Sequence, residues 1–173
     1  MTPEFSRPHR LDQIGAGESK LTVTADAEER AALARRFGLI AIGLLEASYA
    51  LRRDANGVRA SGHLIADVTQ SCIVTEDPVP AHVAEDFDIR FVAEPVDGAE
   101  DLELSAEECD IVFFSGGAID LGEAAAETLA LALDPFPRSA AAETALREAG
   151  VLREEEVQSL NPLAQALKDK LGK

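Results

Sequence analysis

The chain is 173 residues long, with 46% hydrophobic residues and a formal net charge of −16 at pH 7. This length allows one sizeable hydrophobic core. The sequence has no uncharged apolar run of transmembrane length and no apolar segment after its first charges, so we predict no membrane contact, no secretory signal and a cytoplasmic location. Two cysteines, Cys72 and Cys109, are too few for a disulfide framework and are expected to be free thiols.

Acidic residues are concentrated in the later two-thirds of the chain. Residues 1–60 contain nine basic and eight acidic residues, whereas residues 61–173 contain seven basic and 24 acidic ones, so their net charges are +1 and −17. A strongly acidic surface repels the phosphates of nucleic acid and attracts basic proteins, so any RNA contact is expected through the first third. The alternative is that the excess acid serves only solubility.

The first predicted elements are a short strand and a short helix. The alternation in "LTVTA" indicates a strand, and "DAEERAALARRFG" indicates a helix. Asp26 is the predicted N-cap, and Glu29 follows at the spacing of a capping box. Leu33 and Phe37 lie four residues apart on one helix face, and Gly38 suits the C-terminal cap.

A long β-hairpin is predicted next. The first arm, "GLIAIGLLEASYALRR", ends in "DANG", and Asn-Gly is a strong hairpin signal. The apolar residues of this arm change phase on the way, which predicts a bulge near Gly43. The second arm places its apolar residues on one face: Val58, Ala60, Leu64, Ala66 and Val68.

A third strand and a second helix complete the predicted core. The strand follows Pro80, the acidic residues 93–110 are predicted to form a loop, and "IVFF" then returns to the core. The helix is predicted to begin after Asp120 as N-cap, with Glu123 as its capping-box partner, and to stop at Pro135. Its predicted core stripe is Leu121, Ala125, Leu129 and Leu133.

These elements predict an α+β fold. We expect a curved antiparallel sheet, partly open and barrel-like, packed with two main helices and followed by a helical C-terminal tail. Residues 1–137 are assigned to a single α+β domain and residues 138–173 to the tail. The tail contains two helical segments, "AAAETALREAG" and "NPLAQALKDKLG", but few large apolar residues, so we expect it to be loosely docked.

Several segments together resemble one protein family. They are "EFSRP", "LARRFGL", "ADVTQSCIVTEDPV", "FDIRF" and "IDLGEAAAETLALALDPFPR". In this combination the chain resembles the YceD-like large ribosomal RNA subunit accumulation proteins, in their alphaproteobacterial form. The resemblance implies a role in large-subunit RNA accumulation and subunit assembly, and it implies no catalytic activity. The matching positions, expected to be structural, are Gln70, Cys72, Asp120, Leu121 and Glu127.

The chain departs from the family at a possible metal site. Many relatives carry C-x-x-C where this sequence has Thr69 and Cys72, and many carry further cysteines after the equivalent of "IDLGE". Tetrahedral zinc needs about four Cys or His ligands. Because the remaining donors lack ligand spacing, we predict no metal and no cofactor, and we interpret Cys72 as a small hydrophobic residue at a strand end.

Two functions remain open from the sequence. One is a non-enzymatic factor for large-subunit assembly that binds ribosomal RNA or its precursor, a basic ribosomal protein, or both. The other is an acidic protein-binding adaptor or chaperone-like module unrelated to ribosomes. No histidine lies beside an evident nucleophile and "SGG" lacks the rest of a phosphate loop, so neither catalysis nor a small-molecule substrate is predicted.

Arginines of the first third are the candidates for RNA or partner contact, because guanidinium groups pair with phosphate and stack on bases. Reversing Arg35 and Arg36 to Glu is expected to leave the first helix folded, since both lie off its apolar stripe. The alternative is that these arginines only flank the helix and strands. The full candidate set is Arg7, His9, Arg10, Arg35, Arg36, Arg52 and Arg53.

Overall fold

The structure is a computed structural model, and it describes residues 3–94 and 110–151. It contains seven strands, three α-helices and one 3₁₀ turn, Leu11–Gln13, within those ranges. The strands are β1 (Pro8–Arg10), β2 (Ser19–Thr24), β3 (Ala41–Asp54), β4 (Gly57–Ser71), β5 (Pro78–Ala93), β6 (Asp110–Phe114) and β7 (Ala118–Asp120). The helices are α1 (Ala27–Phe37), α2 (Leu121–Ala132) and α3 (Ala142–Glu148).

The main sheet has five strands in the order β2-β3-β4-β5-β6, which confirms the α+β class. The β2–β3 and β3–β4 pairs are antiparallel, as predicted, but β6 runs parallel to β5. Residues 95–109, which separate these two strands in the sequence, lie outside the described residues. The prediction of a loop over residues 93–110 falls largely on the same segment. A second sheet, not predicted, pairs β1 with β7 antiparallel.

The long hairpin follows the sequence prediction closely. The β3–β4 register shifts between Ile42 and Leu44, which confirms the bulge at Gly43. At the turn, Asn56 N–H donates to the Asp54 carboxylate at 2.8 Å. Gly57 has φ of 132°, and a Cβ there would lie 2.1 Å from the carbonyl oxygen of Phe91, so the turn needs glycine for both conformation and space.

Helix α1 also forms as predicted. Asp26 accepts hydrogen bonds from the N–H groups of Glu28 and Glu29, and Glu29 returns a bond to the Asp26 N–H, so the capping box is complete. Gly38 ends the helix in the left-handed conformation. Leu33 is fully buried on the sheet side.

The structure confirms the predicted N-cap of helix α2 and corrects two details of the predicted helix. Asp120 accepts from the N–H groups of Gly122 and Glu123, but the Glu123 carboxylate binds Arg36 instead of completing a capping box. The helix ends at Ala132, so Leu133 is its C-cap and not its last core turn. Three members of the predicted stripe are fully buried, namely Leu121, Ala125 and Leu129. The fourth, Leu133, is partly buried.

The core lies between the sheet and helices α1 and α2. The predicted inward residues of β4 are all buried, as are Leu45, Ala47 and Leu51 of β3. The "IVFF" segment does not return wholly to the core: Val112 and Phe114 pack against it, whereas Phe113 is 53% exposed. This follows from the alternation of a strand, which turns successive side chains to opposite faces.

The chain divides into two compact units. The first comprises Met1–Gln70 and Pro80–Pro135 and holds the core described above. The second comprises Ser71–Val79 and Phe136–Lys173, and its described part contains α3, the weaker predicted tail helix. The predicted helix from Asn161 lies outside the described residues, and the assignment of residues 1–137 and 138–173 to domain and tail stays a prediction. No described helix is long and apolar enough to cross a membrane.

Candidate functional site

Two family-like segments, "EFSRP" and "IDLGE", meet in the first unit, and we call their contact the N-terminal junction (residues 4–8 and 119–123). Asp120 is its centre. In addition to capping α2, its carboxylate accepts the Arg7 N–H at 2.7 Å and the Ser6 hydroxyl. Strand β1 pairs with β7 so that Pro8 lies opposite Asp120. The hydrogen bonds of the Asp120 carboxylate therefore connect residues 6 and 7 to the start of α2.

Close packing supports the junction beneath Asp120. A Cβ at Gly122 would lie 2.6 Å from the carbonyl oxygen of Phe5, so only glycine allows this approach. Phe5 and Leu121 are fully buried. The Leu121 carbonyl accepts a hydrogen bond of 2.8 Å from the buried Tyr49 hydroxyl, and burial followed by the nearby Asp120 charge raises the pKa of Tyr49. Leu121 therefore belongs to the buried core of the junction, and its structural role in the family stays a prediction.

Two of the candidate arginines belong to this junction. Arg36 donates to Glu123 through both terminal nitrogens, at 2.9 and 2.7 Å, and to Glu4 at 3.0 Å. Arg7 makes a forked pair with Glu29, at 2.6 and 2.8 Å. These hydrogen bonds raise the pKa of both guanidinium groups, and the bond from Arg7 holds the pKa of Glu29 below its ordinary value.

The pairing of Arg36 corrects one expectation. Reversing Arg35 and Arg36 was expected to leave the first helix folded, because both lie off its apolar stripe, but a glutamate at position 36 would face Glu4 and Glu123. The sequence could not show this, because those two partners lie 32 and 87 residues away in the chain.

The other candidate arginines lie in two separate places. Arg35 is exposed in the last turn of α1, near the start of β3. At the far end of β3, Arg53 donates to the Leu11 carbonyl at 2.8 Å and Arg10 pairs with Asp12. Exposed Arg52 and half-buried His9 complete that second group. The intervening strand has 14 residues and spans roughly 40 Å at the usual rise per residue. The structure therefore brings the candidates to both ends of β3 and not to one patch.

Gln70 and Glu127, two of the family-like positions, have different surroundings. Gln70 is 7% exposed, and its amide donates to the Asp134 carbonyl at 2.8 Å, which links the end of β4 to the segment after α2. Glu127 lies one turn after Glu123 on α2. Partial loss of hydration and then the Glu123 charge raise the pKa of Glu127, while Arg36 lowers it. Of these two residues, only Gln70 has a side-chain hydrogen-bond partner among the described residues, and a structural role for both stays a prediction.

Cys72, in the second unit, is more than a small hydrophobic residue. It is 2% exposed, and its sulfur accepts N–H hydrogen bonds from Val74 and Thr75, both at 3.4 Å, and from Ser139 at 3.3 Å. Burial alone would raise the pKa of Cys72, but these bonds, led by that from Ser139, and a side-chain hydrogen bond from Thr75 outweigh it and lower the pKa to about 6. The spacing of "QSCIVT" gives no sign of the Ser139 contact, which is formed by a segment far along the chain.

A row of hydrogen-bonded polar side chains crosses the outer face of the hairpin and β5. His63 and His82 bond to Asp86 and Asp67, each at 2.7 Å. Arg59 pairs with Asp88 at the same face. These histidines therefore have partners of a structural kind. Among the residues that the structure describes, no group of three or more His, Cys, Asp or Glu side chains could hold a metal ion, and the absence of a metal stays a prediction.

Fold and composition together define a small acidic α+β protein in which many charged side chains pair with each other. A family model described as "Large ribosomal RNA subunit accumulation protein YceD" matches residues 60–169, which is more than half of the chain. The chain belongs to this family, whose name implies a role in the accumulation of large-subunit ribosomal RNA. Searches of curated proteins and of solved structures found no match. The match covers "QSCIVT" and "IDLGE", while "EFSRP" and α1 precede it.

Proposed function

We propose that the chain is a non-enzymatic factor that supports accumulation of large-subunit ribosomal RNA by binding a basic ribosomal protein during subunit assembly. Family membership supplies the ribosomal setting. The observation that carries the protein route is the charge distribution, with a net charge of −17 over residues 61–173. Ribosomal proteins that bind RNA are commonly basic, so an acidic factor attracts them and repels bare phosphate.

Contact with RNA is the secondary part of the proposal. Phosphate would have to displace carboxylates from Arg7 and Arg36, whose forked pairs are strong. Arg35 and Arg52 are better candidates, since both are exposed and neither makes a hydrogen bond to another described residue. Because they lie at opposite ends of β3 and are only two in number, we expect weak RNA binding.

The remaining parts of the proposal concern location and chemistry. We propose that the protein acts in the cytoplasm, where its ribosomal partners would be assembled, without a cofactor or a small-molecule substrate. The paired state of His63 and His82 supports a structural role for them, since each imidazole is already bonded to an aspartate.

Sedimentation of cell lysate on a sucrose gradient tests the ribosomal setting. We expect the tagged chain to travel with large-subunit precursors at low salt and to be lost from them as salt rises. Recovery of the chain only at the top of the gradient would contradict the proposal and favour an acidic adaptor unrelated to ribosomes.

A pair of variants separates the RNA route from the protein route. The variant Arg35→Glu/Arg52→Glu reverses the two exposed candidate arginines, and Lys20→Glu/Arg138→Glu makes the same charge change at other exposed positions. If RNA contact through Arg35 and Arg52 is essential, only the first variant should leave the precursors. We expect both variants to remain associated, because the main contact is with protein.

A further inference from the structure

A groove in the first unit lies where β4, β5 and the start of β6 meet the last turn of α2, with a volume of about 610 Å³. Gly62 and Phe87 are among its lining residues. The Phe87 ring packs against Tyr49 with ring centroids 4.9 Å apart. A Cβ at Gly62 would lie 2.7 Å from the Phe87 ring and 1.9 Å from the Ser48 carbonyl oxygen. Only glycine at position 62 leaves room for the Phe87 ring. The packing of Phe87 against Tyr49 therefore shapes this side of the groove.

One wall of the groove presents an unpartnered apolar side chain. Leu131 is 83% exposed, although Leu129, two residues before it, is fully buried in the core. Two residues correspond to about 200° around a helix, so the two leucines point to opposite sides. A large exposed leucine beside a preformed groove is available as an apolar contact for a partner.

Carboxylates also line the groove, and two of them have no partner among the described residues. Asp88 pairs with Arg59, and Asp86 bonds to His63. By contrast, no hydrogen bond or ion pair from a described residue reaches the carboxylates of Glu85 and Asp110. The groove therefore combines negative charge that is available to a ligand with an apolar surface.

We propose that this groove binds a lysine- and arginine-rich segment of a partner protein that carries one apolar anchor residue. The anchor would lie against Leu131 and Phe87, and the cationic side chains would pair with Glu85 and Asp110. Phosphate is excluded by like charge. The inference rests on the proposed function, because it assigns the contact with a basic ribosomal protein to a particular surface.

Fluorescence anisotropy with two labelled peptides tests the groove. Both peptides are rich in lysine and arginine, and one has a central leucine where the other has glycine. We expect the leucine peptide to bind about fivefold more tightly, as burial of one partly exposed apolar side chain predicts. Equal binding of the two peptides would overturn the apolar part of the site.

Matched variants test whether the groove, and not the overall charge, binds the peptide. Glu85→Gln/Asp110→Asn should weaken binding about tenfold, since two charge pairs are lost. Glu28→Gln/Glu94→Gln removes the same charge from exposed positions outside the groove and should have little effect. Leu131→Ser should abolish the preference for the leucine peptide, while Ile40→Ser, at another exposed apolar residue, should preserve it.

Other outcomes identify other occupants. Equal weakening by the two double variants would mean that only net charge matters, and the groove would be rejected. A dimer in sedimentation equilibrium that Leu131→Ser dissociates would assign the groove to a second copy of the chain. Reduced binding of an RNA probe by the groove variants would also overturn the proposal. Peptide binding without precursor association on the gradient would contradict the ribosomal function alone, whereas the reverse would contradict the groove alone.

Discussion

The N-terminal junction and the acidic groove are both rich in carboxylates, but they use them differently. At the junction, Asp120 accepts four hydrogen bonds and Glu123 pairs with Arg36. In the groove, Glu85 and Asp110 have no such partner among the described residues. Paired carboxylates hold the fold together, while unpaired ones are available to a ligand. The acidic residues therefore fall into two groups, paired and unpaired, that have different roles.

The largest expected effect is on α2, the helix that connects both regions. Leu129→Ala should lower the free energy of unfolding by about 2–5 kcal/mol, because a fully buried leucine leaves a cavity. Leu131→Ala, two residues away and 83% exposed, should change it by less than about 0.5 kcal/mol. Urea denaturation measures both. Equal stability of the two variants would contradict the assignment of these faces.

The next effect distinguishes paired from unpaired carboxylates. Asp120→Ala should destabilise the fold by about 2–3 kcal/mol, since it removes a helix cap and leaves the Ser6 and Arg7 donors without their acceptor. Asp110→Ala should leave stability nearly unchanged, because no bond to a described residue is lost. Thermal unfolding of the two variants compares them directly. Similar losses in both would show that Asp110 also has a structural role.

Local patterns in the sequence predicted much of the fold. The capping box of α1, the Asn-Gly hairpin, the bulge at Gly43 and the buried face of β4 depend on residues close in sequence, and all are present. The short β1–β7 sheet and the parallel position of β6 were not predicted. Both depend on pairing between distant segments, which periodicity within one segment cannot indicate.

The candidate site was harder to predict from the sequence, because it also depends on contacts between distant segments. Composition showed that the chain is acidic, but it could not show which acids are paired. Arg36 appeared to be a free surface charge because its partners, Glu4 and Glu123, are distant in the chain. For Leu131 the sequence does hold one usable signal, since this residue lies off the Leu121, Ala125 and Leu129 stripe, but no role was predicted for it.

A smaller effect separates Arg36 from its neighbour. Arg36→Gln should reduce stability by about 1 kcal/mol, because partly exposed ion pairs contribute little but here two carboxylates lose their common partner. Arg35→Gln should have no measurable effect on stability, since no described residue bonds to it. The two variants carry the same charge change, so any difference in urea denaturation reports the pairing. Equal stabilities would mean that the Arg36 pairs contribute nothing measurable.

The last prediction concerns the second unit, where hydrogen bonds stabilise the anionic form of a cysteine. The group that titrates is the Cys72 thiol. The Cys72 sulfur has three N–H donors in place, as the Asp120 carboxylate does, and together with a side-chain hydrogen bond from Thr75 they lower the pKa of the thiol to about 6. A lowered pKa in the folded state means that the thiolate stabilises the fold. That stabilisation is fully present above the ordinary thiol pKa near 9.0 and is lost as the pH falls through about 6. In a Cys109→Ser background, ultraviolet absorbance of the thiolate should titrate with a midpoint near that lower value, and Cys72→Ser should remove the signal. A midpoint close to the ordinary value would show that burial outweighs the N–H donors, and that Cys72 is a neutral core residue after all.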